Sequence, residues 1–370
     1  MERTACARED ISGERINSKF LKIGIVCRHG SAKVCSQKGE ERMANWPFTQ
    51  GVHDIGNSVY GYVQPDGTWG WSNAGLVSSQ GETLLIDTLM SVPLTRAMLG
   101  EFAKVPGGEH IDTLVNTHAN PDHFFGNGLV EGAKIIATET TREDMAGFNP
   151  AMLAGLRENY KQMGDAGEFL YETMGRKFDF SGVDEVTLPT QTFDRNFTLT
   201  VGDKVVELTD LGPAHTKSDT IAWLPSERVV FTGDLLFNEG HPIMWAGPVE
   251  NWIAACQHIV ELEPEVVVPG HGPITDVGAV RNMKSYFEYV RDEARKRWNA
   301  GLDFEAAARD INMTEFRGWT DPERIVANVF SLYRQWGATF TPEQQHGLFG
   351  AMGRYLKDMA AHEENCGHDH

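Results

Sequence analysis

The chain has 370 residues, about 2.5 times a typical ~150-residue domain, which leaves room for one large catalytic unit with additions. Thirty-three lysines and arginines stand against 52 aspartates and glutamates, a net charge of −19, so most of the surface repels phosphate backbones and anionic lipid, and neither nucleic acid nor a membrane is an expected partner. Hydrophobic residues at 41% and charged residues at 23% are those of a chain that folds into a globule.

Residues 1–42 carry Arg, Lys, Glu, Ser and Cys without helical or alternating periodicity and hold nothing that builds a core. They read as a flexible extension, or else translation begins at Met43. The five cysteines (Cys6, Cys27, Cys35, Cys256 and Cys366) are odd in number and irregularly spaced, which fits neither a disulfide framework nor a CxxC zinc knuckle. A reducing compartment is therefore expected. The apolar run at residues 23–27 is too short for a secretion signal core, and no stretch reaches the ~20 apolar residues of a membrane span. These features predict a cytoplasmic protein.

Beyond residue 52 the pattern is strand-like: residues 58–63, a Pro65-Asp66-Gly67 turn, residues 69–77 and residues 83–87 form a meander. Residues 94–105 have apolar positions at helical spacing, and residues 113–117 and 134–138 are short apolar strands on either side of a polar loop. Residues 152–174 read as helical, and 185–209 as strands. Residues 220–224 and 229–232 form a hairpin around Pro225-Ser226-Glu227-Arg228, followed by a helix over 249–262 and a strand over 266–268. In the last ninety residues Val280, Met283, Phe287, Val290 and Ala294 form a helical stripe. Asp321-Pro322-Glu323-Arg324 reads as an N-cap with Pro at the first helical position, and Thr341-Pro342-Glu343 opens another helix.

The histidines carry the chemistry. His118-Ala119-Asn120-Pro121-Asp122-His123 follows an apolar strand directly, which puts three metal-ligand side chains within six residues on a strand-end loop. His215, in Gly212-Pro213-Ala214-His215, and His271, in Gly270-His271-Gly272, each lie just past a strand, and Thr232-Gly233-Asp234 supplies a carboxylate between them. Taken singly, a Gly-His-Gly or a Thr-Gly-Asp is a turn. Four such segments with six ligand-type residues among them, each at a strand end that a sandwich brings to one edge, point to a metal site.

In these motifs the chain resembles the metallo-β-lactamase-fold hydrolases: an H-x-H-x-D-H loop, a distant His, an Asp after a strand, and a final His in a Gly-His-Gly turn. The resemblance covers roughly residues 50–275 and implies an α/β fold, the αββα four-layer sandwich, over residues 43–277. A C-terminal helical region at 278–361 and a flexible tail at 362–370 would follow. In that family one site takes three histidines, here His118, residue 120 and His215. The other takes residues matching Asp122, His123 and His271, with Asp234 shared. The chain departs at Asn120, where a weak neutral donor replaces imidazole. The expected cofactor is thus one zinc held by Asp122, His123 and His271, with Asp234 as fourth ligand or as an acceptor behind them. The alternative is two zincs, with Asn120 oxygen, water and Asp234 completing the first site.

With the first site empty, His118 and His215 are free bases beside the activated water, and Asn120 either donates its amide to a developing oxyanion or serves only as a loop cap. Phe124, Phe125, Phe237, Met244, Trp245 and Trp252 follow the ligands; where they face the cleft rather than the core they favour a small apolar or aromatic substrate. Among the remaining histidines only His241 is placed to border such a pocket, and His362, Cys366, His368 and His370 read as an acidic tail with adventitious metal affinity. The expected activity is hydrolysis of an ester, lactone, thioester or amide, or hydrolytic dehalogenation. The alternatives are an iron-dependent redox member of the same fold and a catalytically silent metal sensor. The C-terminal helices either cap the site or form a homodimer contact.

Overall fold

The computed structural model describes residues 46–367, with side chains to residue 361. The extension expected over residues 1–42 and the side chains of 362–370 lie outside the described residues. The chain enters an antiparallel meander, β1 (Gly51–Gly56), β2 (Val59–Val63), β3 (Ala74–Ser79) and β4 (Glu82–Ile86), then α1 (Val92–Phe102) and β5 (Thr113–Val115). After the four-residue α2 (Pro121–Phe124) come β6 (Lys134–Thr138), α3 (Glu139–Ala146), the short α4 (Ala151–Ala154), α5 (Leu156–Asn159) and α6 (Gly164–Leu170), and β7 (Gln191–Phe193). The second half runs β8 (Asn196–Val201), β9 (Lys204–Asp210), β10 (Thr220–Leu224), β11 (Val229–Phe231), α7 (Val249–Glu261) and β12 (Val266–Val268). It ends in α8 (Val277–Asn299), α9 (Phe304–Asp310), α10 (Arg324–Gln335), α11 (Pro342–His346) and α12 (Leu348–Gly367).

Strands β1 to β7 form one sheet in sequence order, antiparallel to β4 and parallel from there on; the other sheet runs β12-β11-β10-β9-β8, with only the β11/β12 pair parallel. Side-chain alternation explains how two such sheets stack. Leu84 and Ile86, Ala222 and Leu224, Val229 and Phe231, and Val266 and Val268 point inward and share one core between the sheets. Their neighbours point outward: Leu85 joins Tyr60, Tyr62, Met98 and Phe102 under α1. Ile221, Trp223, Val230 and Val267 join Trp252, Phe287 and Val326 from the helices on the far side. Both faces of each of these strands are buried, so helix, sheet, sheet and helix stack as the expected αββα sandwich. The C-terminal helices share the outer core of the second sheet.

The strand directions place the functional loops. Parallel β4 and β5 end at the same edge of their sheet, and β9 and β11, each antiparallel to β10, end at one edge with β12. Asp87, residues 116–123, His215, Asp234 and His271 all follow those C-terminal ends.

Three local expectations differ from the structure. The strand expected over 69–77 starts only at Ala74, because Gly70 takes a φ of 75° and Asn73 turns its amide into Pro269 and Gly272 carbonyls at 3.0 and 2.8 Å. The 152–174 helix is broken into short pieces, with Gly155 at a helix end and Gly164 at a φ of 59°. Asp321 caps nothing: its φ is 54°, α10 starts at Arg324, and its carboxylate sits 2.8 Å from the Arg324 guanidinium. Thr341, by contrast, closes a capping box with Gln344 as the Thr-Pro signature predicts. Among the described residues no helix is long and apolar enough to cross a membrane.

Candidate metal centre

The six residues picked out at the strand ends meet. Ligand atoms of His118, His215 and Asp234 lie within 4.8 Å of one another, and so do those of Asp122, His123 and His271; all six residues are buried. Asp234 is the hub. Its carboxylate oxygens lie 3.1 Å from His123 Nε2, 3.3 Å from His215 Nε2, 3.4 Å from His271 Nε2 and 3.7 Å from His118 Nε2. Asp122 completes the second group, 3.2 Å from His271 Nε2 and 3.8 Å from His123 Nε2.

Four imidazoles presenting the same nitrogen inward require their other nitrogens to be held outside, and for three of them the partner is clear. Asp87, one residue past β4, accepts from His123 Nδ1 at 2.9 Å and from the Thr117 backbone N–H and hydroxyl at 2.7 Å each. With its proton committed to Asp87, the Thr117 hydroxyl accepts from His118 Nδ1 at 3.0 Å. One carboxylate therefore holds the outer nitrogen of both histidines, turning their Nε2 atoms toward Asp234. His215 Nδ1 donates to the Ile243 carbonyl at 2.6 Å. The His271 ring instead stacks on Phe237, 5.0 Å between centroids and 9° from coplanar, and Ser72 joins the two ends of the second group by pairing with His271 and donating its hydroxyl to the Asp122 carbonyl at 2.5 Å.

His118 Nε2, His123 Nε2 and Asp234 Oδ1 are buried without a hydrogen-bond partner. Unpaired buried polar atoms are costly, and three aimed at one point are the arrangement a cation would satisfy. The electrostatics agree. Burial alone would raise the Asp122 pKa, but His123 and His271 outweigh it and bring it down to about 2, and the histidines hold Asp234 well below the carboxylate range. Burial alone would depress His123 and His271, but Asp234 and Asp122 lift the first well above its ordinary value and the second to about 9. His118 stays well below its ordinary value through burial and the neighbouring His123. The carboxylates at the second group thus gather positive charge, a role that a divalent metal would take from the two protons. The residues present fit a metal ion.

Asn120 stands where the family motif has a third imidazole. It precedes α2, is half-buried, and its Nδ2 lies 3.0 Å from His215 Nε2. Since the His215 Nδ1 proton goes to Ile243, Nε2 is the acceptor and the Asn120 amide the donor. That amide occupies the lone pair His215 would offer to an ion in the first group.

The aromatic residues expected at a cleft mouth are mostly wall and core. Phe124 and Phe125 pack in a separate core with Phe178 and Phe180, while Phe237 and Trp252 lie against the His215 ring at 5.6 and 5.8 Å. Met244 is buried, and Trp245 alone is half-buried, its backbone N–H on the His215 carbonyl at 3.0 Å. His241 does not join the ligand groups; it is buried against Tyr286 Oη at 3.1 Å, and burial with the nearby Arg324 pushes its pKa down to about 4. Sequence reasoning missed Asp87 and Thr117. The available signal was a carboxylate directly after the apolar run Leu84-Leu85-Ile86, the same strand-end position that marks Asp234.

A four-layer sandwich carrying histidines and aspartates on the loops of one edge defines a class, and residues 67–271 match the model of the metallo-beta-lactamase superfamily. The chain belongs to that superfamily. A Caenorhabditis elegans protein named beta-lactamase-like protein 2 homolog is 30% identical over 84 residues, 23% of this chain and 28% of that one. The fold is similar to that of the stereoselective inverting sec-alkylsulfatase Pisa1 from Pseudomonas sp., with a TM-score of 0.60 and 16% identity over 79% of this chain and 51% of the sulfatase. This chain therefore spans about half the length of that enzyme. A metallo-beta-lactamase from Pontibacter korlensis aligns at 21% identity and a TM-score of 0.48, over 65% of this chain and 99% of that one.

Proposed function

We propose that the chain is a zinc-dependent, cytoplasmic hydrolase of a small, largely apolar substrate, holding one metal between Asp122, His123 and His271 with Asp234 beside them. The observation that supports this most directly is the convergence of four imidazole Nε2 atoms on Asp234 and Asp122 with three buried polar atoms left unpaired. When bound, such a cation polarises the scissile group and lowers the pKa of its water.

The chain's own residues then divide the work. His118, its Nδ1 proton tied to Thr117, presents an open Nε2 lone pair that accepts the proton of the attacking water; His215, its Nδ1 proton tied to Ile243, can take that part once Asn120 turns its amide from His215 Nε2 to the substrate. Ala119, Asn120 and Pro121 are the half-exposed residues over an otherwise buried set, so substrate reaches the site across them. Asn120 Nδ2 is then the donor nearest the incoming group and is assigned to holding the developing negative charge. Aromatic rings behind the site and the charge of −19 favour an uncharged, apolar substrate with an ester, lactone, thioester, amide or carbon–halogen bond over a phosphodiester.

A two-metal reading keeps one observation in its favour: His118, His215 and Asp234 form a second compact triad even without a third imidazole. The test of the hydrolase reading is turnover of chromogenic esters, lactones and haloarenes, with a secondary alkyl sulfate added because of the Pseudomonas enzyme's fold, before and after chelation. Chelator-sensitive hydrolysis restored by zinc supports it. Activity restored by iron alone moves the chain to redox chemistry, and metal binding without any turnover to a sensor.

A further inference from the structure

His215 belongs to the sandwich, yet the group that orients it belongs to a segment with no secondary structure. Residues 241–246 cross behind the site between Asp234 and α7, and the Ile243 carbonyl in their middle accepts from His215 Nδ1 at 2.6 Å. Trp245 and Ala246 N–H groups return to the His215 carbonyl at 3.0 and 3.2 Å, so ring and backbone of this histidine are both clamped. A clamp without a ladder of its own needs partners for its other polar groups, because residues 241–244 are buried.

Those partners are the polar stripe of α10. Arg324 Nη1 donates to the His241 carbonyl at 2.9 Å, Ser331 Oγ to the Met244 carbonyl at 2.6 Å, and Arg334 Nη2 to the Trp245 carbonyl at 2.7 Å. Positions 324, 328, 331 and 334 fall on one side of a helix, and the first three are turned inward, Arg324 2% exposed, Asn328 0% and Ser331 5%, while Arg334 reaches in from an exposed position at the helix end. Asn328 brackets the critical carbonyl. Its Nδ2 donates to Pro242 O at 2.9 Å and its Oδ1 accepts from Met244 N–H at 2.8 Å, one bond on each side of Ile243.

We propose that Asn328 is a positioning residue for His215, acting through the Pro242–Met244 backbone that it spans. It fixes the Ile243 carbonyl where that oxygen holds the Nδ1 proton, and so keeps Nε2 unprotonated, facing the Asn120 amide at 3.0 Å with Asp234 Oδ2 3.3 Å away. The C-terminal helices then complete the site rather than merely follow it, and a metal-edge histidine depends on a residue 113 positions further along the chain. The consequence for turnover rests on the base role proposed above for His215; the consequence for its tautomer does not.

The experiment is long-range ¹H–¹⁵N correlation spectroscopy of ¹⁵N-histidine-labelled full-length protein as purified, with His215→Ala to assign the His215 signals. Wild type shows His215 protonated at Nδ1. Asn328→Ala loses that single-tautomer signature, and Ser331→Ala, which removes only the bond to Met244, weakens it. With whichever compound of the panel is turned over, kcat falls about 10- to 100-fold in Asn328→Ala while KM holds, the size expected for releasing a group that orients a site histidine. Should Asn328→Ala fail to fold, Ser331→Ala decides alone. An unchanged Nδ1–H signature in every variant that folds overturns the proposal, whatever the enzyme's substrate turns out to be.

Discussion

Glu323 offers a sharp test of the electrostatics behind the site. It is 2% exposed, its Oε1 accepts from Trp69 Nε1 at 2.7 Å, and it shares a buried trio with Asp321 and Arg324. One guanidinium cannot neutralise two buried carboxylates, so the trio keeps a proton that the unfolded chain would have lost. Burial, reinforced by Asp321, raises the Glu323 pKa from 4.5 to about 7. A carboxyl raised in the folded state contributes stability that is present at low pH and disappears as pH climbs from 4.5 through about 7. Glu323→Gln mimics the protonated form and keeps an acceptor for Trp69, so the variant should match wild type at pH 5. By pH 8 it should be the more stable protein by about 3 kcal/mol, the free energy that corresponds to this rise in pKa. Urea unfolding of both proteins at the two pH values reads the difference directly, since any metal contribution common to both cancels. A stability gap that does not change between pH 5 and 8, or a variant weaker at pH 8, would refute the trio's excess proton.

Asp87→Asn keeps an oxygen near His123 and suits the left-handed backbone at that position (φ 62°), but removes the charge that fixes two histidines; metal affinity should drop about 10- to 100-fold in a competition titration with a chelating dye. Unaltered affinity would mean that the Asp87–Thr117 relay is only structural. Gly75→Ala would drive a Cβ into the Phe231 ring in the inter-sheet core, and chemical denaturation should show a loss of about 1–3 kcal/mol; wild-type stability would place the sheets wrongly. Asn120→His restores the third imidazole, so zinc should rise from about one toward two per chain while turnover slows, because the base and the amide donor are both consumed. A variant that gains metal and becomes faster would favour a conventional dinuclear enzyme.

The parts of the fold that were legible are those where local pattern and tertiary burial agree. Residues 134–138, 220–224 and 266–268 are strands at the predicted positions because each is an apolar run short enough to be buried on both faces. The ligand residues were legible because histidine is scarce, 13 in the chain, and the ligand aspartates stand in or between the histidine motifs at strand ends. Asp87 and Thr117 carry equal structural weight but are ordinary residue types, and their role exists only once β4 and β5 are paired. Asp321 was misread because a buried arginine three residues on outcompetes the free helix N–H groups for its carboxylate. The polar stripe of α10 was hidden for a related reason: Arg324, Asn328 and Ser331 look like a solvated face beside Ile325, Val326 and Val329, yet both sides of that helix are buried.

A single metal in the Asp122, His123 and His271 group is tested most directly by elemental analysis of protein purified without added metal, repeated on ligand variants. About one zinc per chain is expected, lost in Asp122→Ala, His123→Ala and His271→Ala and retained in His118→Ala, since each of the first three removes one of few ligands to one ion. Two zincs per wild-type chain, or full metal content in any two of the first three variants, would contradict the account.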